Sequence, residues 1–308
     1  MNKSNPLVSV IIFTYNQEQF ITQTLEGAFS QTYSPLEIII SDDCSTDNNF
    51  ILIQEEVAKY KGPHKIVLNR NQTNLGIGDH VSYGLNLTKG KLIVIMGGDD
   101  ISLPERTSTI YNEWISSNKT IMAFFSNVEL IDKEGNHKGK MFDLPPDYTE
   151  DIHDFISKSK LFSFKAAPLC WLLGCSEAID RRVLNIFGDI DRRVIQEDAV
   201  LAFRALLLGR IKYIDKILVQ YRRHDANVFE PNDVNKVLYL LKSEYYYKLQ
   251  WYSDCLKIND SPKKLLSVLK LELSKAYLFH IFIKIPIVGI GYQYLKKAIK
   301  RLIINGNK

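Results

Sequence analysis

These 308 residues predict an α/β architecture, with a mostly parallel sheet flanked by helices and a helical C-terminal extension after it. Three observations carry that expectation. Short β-branched runs alternate four times with helical patterns in the first hundred residues. The runs are apolar on both faces, as strands covered by helices on either side must be. After about residue 227 the alternation stops and the pattern turns helical.

The first run, "LVSVIIF" (7–13), is too short for a helix and reads as a buried strand. A helical pattern follows in "QEQFITQTLEGAFSQ". "LEIIIS" (36–41) is a second strand, and "TDNNFILIQEEVAKY" a second helix with Asp47 in its first turn. "HKIVLN" (64–69), "GIGDHVSYGLNLTK" and "KLIVIM" (91–96) give a third strand, a third helix and a fourth strand. Pro104 then restarts the chain as a helix, the position where proline is best tolerated. Further on, Val200, Leu201, Phe203, Leu206 and Leu207 describe an amphipathic helix whose first turn holds Glu197 and Asp198. "KILVQY" reads as one more strand, ending at Arg222, Arg223 and His224.

In a sheet of this kind a ligand lies beyond the carboxyl ends of the strands. Those ends read "TYNQE" (14–18), "DDCSTD" (42–47), "NRNQTNLG" (69–76) and "GGDD" (97–100). Each has a bland explanation, since Asp and Asn favour turns and Ser, Thr and Asp cap helices. Four polar ends in register at one edge are better explained by a ligand site.

Charge excludes one class of function. The chain carries +4 overall, but from residue 273 onward there are seven Lys/Arg and no Asp or Glu. The preceding part therefore holds 32 basic and 35 acidic residues, a net of −3. A mildly acidic body does not suit a nucleic-acid binder, whose basic surface would spread over the fold. Cys44, Cys170, Cys175 and Cys255 form no CxxC pair, which fits reduced thiols in a cytosolic protein. The N-terminus lacks the architecture of a signal peptide, and no stretch is long and apolar enough to span a bilayer. These features place the expected activity in the cytoplasm.

Five stretches in order, "VSVIIFTYNQEQFI", "EIIISDDCSTDN", "NLGIG", "KLIVIMGGDDISLP" and "IQEDAVLAFRALLLGRIKYIDKILVQYRRH", resemble the inverting glycosyltransferases of family 2, which have the GT-A fold. The resemblance covers residues 6 to 225. It implies a nucleotide-sugar half over about 1–105, an acceptor half over about 106–226, and a helical region over 227–308. It also implies a divalent metal, Mn²⁺ or Mg²⁺, because a diphosphate attracts hard cations. Carried over position by position, Asp99 falls on the metal-binding aspartate and Asp100 on its common acidic neighbour. The family's usual Asp-x-Asp is broken here, since Gly97 stands at the earlier position. With that carboxylate missing, metal is expected to bind well only together with the nucleotide. Gly97 and Gly98 would let the nucleotide approach the backbone.

By the same resemblance, Asp42 or Asp43 reads the base and Thr14, Tyr15 and Asn16 supply backbone groups to it. Glu18, Asn74, Gly76, Gly98, Arg222 and Arg223 complete the expected donor site, and His224 reaches the metal or the phosphates. Asp198 is the expected base that takes the acceptor's proton, with Glu197 supporting it. Trp171 in "FKAAPLCWLLGCSEAIDRRVL" has two open readings, stacking on an acceptor sugar or filling the core. Residues 132–154 are polar and poorly periodic and read as a loop over the site.

The expected donor is a nucleotide sugar, a UDP-sugar first. The expected acceptor is a glycan hydroxyl, such as that of a polyprenyl-diphosphate-linked sugar in bacterial surface polysaccharide (O-antigen or capsule) synthesis. The apolar, basic end of the chain, with Lys296, Lys297, Lys300 and Arg301, suits contact with the inner face of the cell membrane. A rival reading is a non-catalytic partner in a synthase complex that binds nucleotide or glycan without turning it over.

Overall fold

The computed structural model describes residues 5–159, 174–225, 227, 234–259 and 262–284. In chain order its elements are β1 (Val8–Thr14), α1 (Ile21–Phe29), β2 (Leu36–Asp42), α2 (Asn49–Lys59), β3 (Lys65–Arg70), α3 (Ile77–Leu87) and β4 (Leu92–Gly97). Next come β5 (Ile101–Ser102), α4 (Arg106–Ser116), β6 (Ile121–Ile131), β7 (His137–Lys140), β8 (Thr149–Glu150) and α5 (Ile152–Ser159). The rest are β9 (Glu177–Asp180), α6 (Arg182–Phe187), α7 (Glu197–Leu208), β10 (Arg210–Arg222), α8 (Val234–Leu256) and α9 (Lys263–Lys284).

One sheet of ten strands organises the molecule, in the order β3-β2-β1-β4-β9-β6-β10-β5, with β7 on β6 and β8 on β10. The four strands anticipated from the first hundred residues, β3, β2, β1 and β4, pair in parallel. Strand β9 enters antiparallel between β4 and β6, and β10 runs parallel to β6.

Alternate residues of each central strand feed two different cores, as the period of a strand requires. Ile11, Ile39, Ile93 and Ile95 belong to one core; Val10, Ile12, Ile38, Ile40, Val94 and Met96 belong to the other. That is the physical content of runs apolar on both faces.

The first core extends into the C-terminal helices. Trp251 of α8 stacks on Phe203 of α7 with ring centroids 4.8 Å apart, and its indole N–H donates to the Ala199 carbonyl at 3.0 Å. Arg204 of α7 pairs with Asp254 of α8 at 2.7 Å, both side chains fully buried. The helix carrying Glu197 and Asp198 is thus clamped from behind by α8. Among the described residues no helix is long and apolar enough to cross a membrane.

Residues 132–154 are only in part the loop expected of them. Asp132 Oδ1 accepts the backbone N–H of Glu134 and Asn136, and Gly135 takes φ +90°, so "DKEGN" closes a hairpin between β6 and β7. Residues 141–148 stay irregular, and strand β8 and the start of helix α5 follow them. A tight Asp-Gly turn with short, polar edge strands hides its periodicity. Trp171, Cys170 and the basic positions Lys296, Lys297, Lys300 and Arg301 lie outside the described residues.

Candidate active site

Strand register brings the polar ends together. Thr14 pairs with Asp42, Asp42 with Arg70, and Phe13 with Gly97, so the ends of β1, β2, β3 and β4 form one edge.

The β2 end is built around two buried carboxylates. Asp42 accepts the Ser45 N–H at 2.9 Å and the Asn49 side-chain N–H at 2.8 Å, and Asn49 also bonds the Thr14 hydroxyl. Asp43 accepts the Asn71 side chain at 2.7 Å, the Leu75 N–H at 2.9 Å and the Gly76 N–H at 3.0 Å. The loop takes three of the roughly four acceptor positions of Asp43, and the buried His80 ring stands 4.0 Å from its Oδ2. Gly76 sits at φ +76°, a conformation that favours glycine, and its N–H also bonds Asn74 Oδ1 at 3.0 Å.

The β1 end is laced to the β2 end. Asn16 takes φ +53°, which asparagine tolerates, and its Oδ1 accepts the Thr46 N–H at 2.8 Å. Glu18 Oε2 accepts both the backbone and side-chain N–H of Asn48, each at 2.9 Å, at the entry to α2. Asn16 and Glu18 therefore frame the rim through their side chains. Tyr15 stands between them with its ring exposed. A Cβ added to Gly98 would lie 2.5 Å from the Thr14 hydroxyl and 2.3 Å from Gln17 Oε1, so the space at that glycine is filled by the protein's own side chains.

The β4–β5 turn and the end of β10 interlock, and this joins residues far apart in the sequence. His224 Nε2 lies 3.0 Å from Asp99 Oδ2, and the His224 ring packs on Phe20 at 4.7 Å between centroids. Asp100 Oδ1 accepts the Arg222 backbone N–H at 3.0 Å. Burial, and next the charge of Asp99, push the Asp100 carboxyl well above the usual range. Asp99 and His224 are each only partly buried, whereas Asp100 is shut in.

Arg222 was expected to meet a leaving diphosphate, and the structure gives its guanidinium other partners. It is 1% exposed and donates to the carbonyls of Asp99, Asp132 and Lys133 and to Gln23 Oε1, with Phe20 beneath it. A planar fork with five donors can tie three chain segments together in this way. Arg223 is exposed beside it.

Glu197 and Asp198 open α7, as the sequence pattern required. Burial raises Asp198 to about 6, against hydrogen bonds from the backbone of Ala199 and Gly174. Burial and then the Asp198 charge raise Glu197 to about 8. A third carboxyl, Glu177 of β9, was missed in the sequence. It is fully buried, and among the described residues neither carboxylate oxygen has a hydrogen-bond partner. Burial, then Asp198 and Glu197, push it well above the usual range. The missed signal was a glutamate inside a short strand buried on both faces.

Two of these groups suit a divalent ion. Asp99 Oδ2 and His224 Nε2, hydrogen-bonded to each other at 3.0 Å, are a carboxylate oxygen and an imidazole nitrogen of the kind such an ion takes. Among the described residues no set of three or more His, Cys, Asp or Glu is arranged to hold a metal. Among the described residues, an ion taken by Asp99 and His224 would need water or a ligand to complete its shell.

Comparison with known proteins follows the same line. Residues 9–168 match the family described as Glycosyl transferase family 2. This covers just over half the chain, which belongs to that family. A glycosyltransferase of Haemophilus influenzae without assigned specificity is 37% identical over 126 residues, 41% of this chain and 38% of that protein. Chondroitin synthase of Escherichia coli is 32% identical over 225 residues, 73% of this chain and 30% of that protein. The chain thus spans well under half the length of these relatives. Among solved structures, S. aureus TarS 1–349 in complex with UDP superposes with a TM-score of 0.60 at 17% identity, over 88% of this chain and 70% of that one. The mannosyltransferase PcManGT of Pyrobaculum calidifontis, in complex with GDP-Man and Mn²⁺, gives 0.59 at 15% identity, over 98% and 83%. The architecture is the GT-A fold, and the protein is a glycosyltransferase by family.

Proposed function

We propose that the chain transfers a sugar from a nucleotide-sugar donor, a UDP-sugar first, to a glycan hydroxyl with inversion at the anomeric carbon. The observation that carries this reading is the Asp99–His224 pair at the sheet edge where Asp42, Asp43 and Thr14 also converge. Asp42 or Asp43 accepts the imide N–H of the base, and the exposed Tyr15 ring covers it. Asp99 and His224 hold a divalent ion, Mn²⁺ or Mg²⁺, whose chemistry when bound is to neutralise the diphosphate oxygens. TarS was solved with UDP, and PcManGT with GDP-Man and Mn²⁺, which supports a nucleotide-sugar donor and a divalent ion as the ligand classes. Arg222 fixes the β4–β5 turn from behind, and Arg223 is exposed beside it.

Asp198 removes the proton from the acceptor hydroxyl as its oxygen bonds the anomeric carbon and the bond to the diphosphate oxygen breaks. Its pKa near 6 leaves it ionised at neutral pH yet basic enough to take a proton. Glu197, raised to about 8, stays protonated beside it and donates to the acceptor or to Asp198. The acceptor is a lipid-linked glycan at the inner face of the cell membrane, in bacterial surface polysaccharide synthesis.

The test is a thermal-shift series with UDP, GDP, CMP and dTDP, each with Mn²⁺ and with EDTA. Binding at a hundredfold excess over Kd stabilises the folded state by about 2.7 kcal/mol. A Mn²⁺-dependent shift with UDP, abolished by Asp99→Ala, is expected. No shift with any nucleotide would remove the donor site and leave only the glycan-binding, non-catalytic partner.

A further inference from the structure

The face of α9 turned away from the protein has no role in that chemistry, yet its composition is ordered. On its inner side Leu265, Leu269, Glu272, Ala276 and His280 are buried, and Glu272 is held by Lys248 of α8. On its outer side Lys263, Lys264, Ser267, Lys270, Leu271, Ser274, Lys275, Tyr277 and Leu278 are all exposed. Leu271 is 57% exposed and Leu278 67%.

At 3.6 residues per turn these positions sort into stripes. Leu271 and Leu278, seven apart, stand with Ser267 and Ser274 along the middle of the exposed arc. Lys263 and Lys270 line one flank, and Lys264 and Lys275 the other. No Asp or Glu falls on the arc, and none occurs from residue 273 to the end of the chain. A bare helix that is merely solvated has no need of two large leucines between lysine rows. A helix lying on a bilayer does, because the apolar stripe enters the interface while long lysine stems reach the headgroups on either side.

We infer that the outer face of α9 is a docking surface for an anionic phospholipid membrane, with Leu271 and Leu278 inserting and Lys263, Lys264 and Lys270 contacting headgroup phosphates, while Lys275 stays paired with Glu272 at 2.8 Å. This deepens the membrane part of the proposed function, though it stands on the face of α9 and not on the reaction. Because α8 joins α9 to α7, a chain docked in this way would hold Glu197 and Asp198 at a fixed attitude to the membrane.

The experiment is co-flotation of the full chain with vesicles of phosphatidylcholine alone and of phosphatidylcholine with phosphatidylglycerol. Binding to the anionic vesicles only, weakening with salt, is expected. Each lysine near the surface contributes about fivefold to the partition, so Lys264→Glu/Lys270→Glu should lower it at least about 25-fold. Leu271→Gln/Leu278→Gln should lower it while leaving the salt dependence in place. These positions are exposed, and an unchanged melting temperature in each variant shows that the fold is intact. Vesicle binding that survives both double variants would overturn the assignment. So would self-association in sedimentation velocity that Leu271→Gln/Leu278→Gln abolishes, since a second copy would then be the occupant. UDP-dependent stabilisation in the same preparations reads the donor site separately, so failure of one reading is distinguished from failure of the other.

Discussion

Asp99 and His224 are separated by 125 positions in the chain, and their side chains meet at 3.0 Å. The contact exists because β5 pairs antiparallel with β10, placing the turn after β4 against the end of β10. Arg222 secures it twice, through its backbone N–H to Asp100 and its guanidinium to the Asp99 carbonyl.

The first prediction concerns this pair. Losing even an outer partner of a metal ligand costs about 10–100-fold in affinity, and losing a ligand costs no less. His224→Ala should therefore weaken Mn²⁺ binding at least about tenfold, measured by calorimetric titration in the presence of UDP. On the proposed site Asp99 and His224 need water or the nucleotide to complete the ion's shell, so Mn²⁺ should bind weakly to the wild type without UDP. Equal affinity with and without the nucleotide would move the metal to other residues.

The second prediction is the pH profile. Asp198 works as a base only when ionised, and burial raises it to about 6. Transfer should be present above that pH and fall tenfold per unit below it. Asp198→Asn should cut kcat by about 10²–10⁴ while UDP and Mn²⁺ binding persist. A flat profile between pH 5 and 7, at constant metal occupancy, would remove Asp198 from that role.

Both predictions rest on residues that the sequence already marked, and the reason is local. Asp99 sits at the end of an apolar run, and Glu197 and Asp198 sit one turn before an apolar stripe, so short-range periodicity finds them. Other roles depend on distant partners. Arg222 is tied to Gln23, Asp99 and Asp132, and Glu18 to Asn48, which no pattern within one stretch reveals. Glu177 was missed for the same reason. Its neighbours on α7 arrive only when β9 inserts between β4 and β6.

The third prediction uses that buried glutamate. The folded state holds Glu177 protonated far above its unfolded pKa of about 4.3, so folding takes up a proton. Its contribution to stability is therefore greatest at low pH and declines as pH rises past the unfolded value. Glu177→Gln keeps the shape and removes the titration. The melting temperature of the variant relative to wild type should thus climb between pH 5 and pH 8. Each kcal/mol should appear as about 2–4 °C. A constant difference across that range would mean that Glu177 is ionised in the folded protein.

The fourth prediction separates the C-terminal helices from the sheet. Arg204 is fully buried and bonds Asp254 together with the carbonyls of Gly188 and Asp189. Removing one partner of a buried pair leaves the other charge uncompensated and costs about 3–5 kcal/mol. Asp254→Ala should lower the melting temperature accordingly. Replacing both residues, as in Arg204→Met/Asp254→Leu, should recover much of the loss, because no buried charge then remains. The single variant also loosens the support behind α7, whose Ala199 carbonyl accepts the Trp251 indole one residue from Asp198. Its kcat should fall more than its affinity for UDP, since the proposed donor groups stand at the ends of β1, β2, β4 and β10 and the proposed base stands on α7. A single variant that melts like the wild type would show that α8 is held by its apolar packing alone.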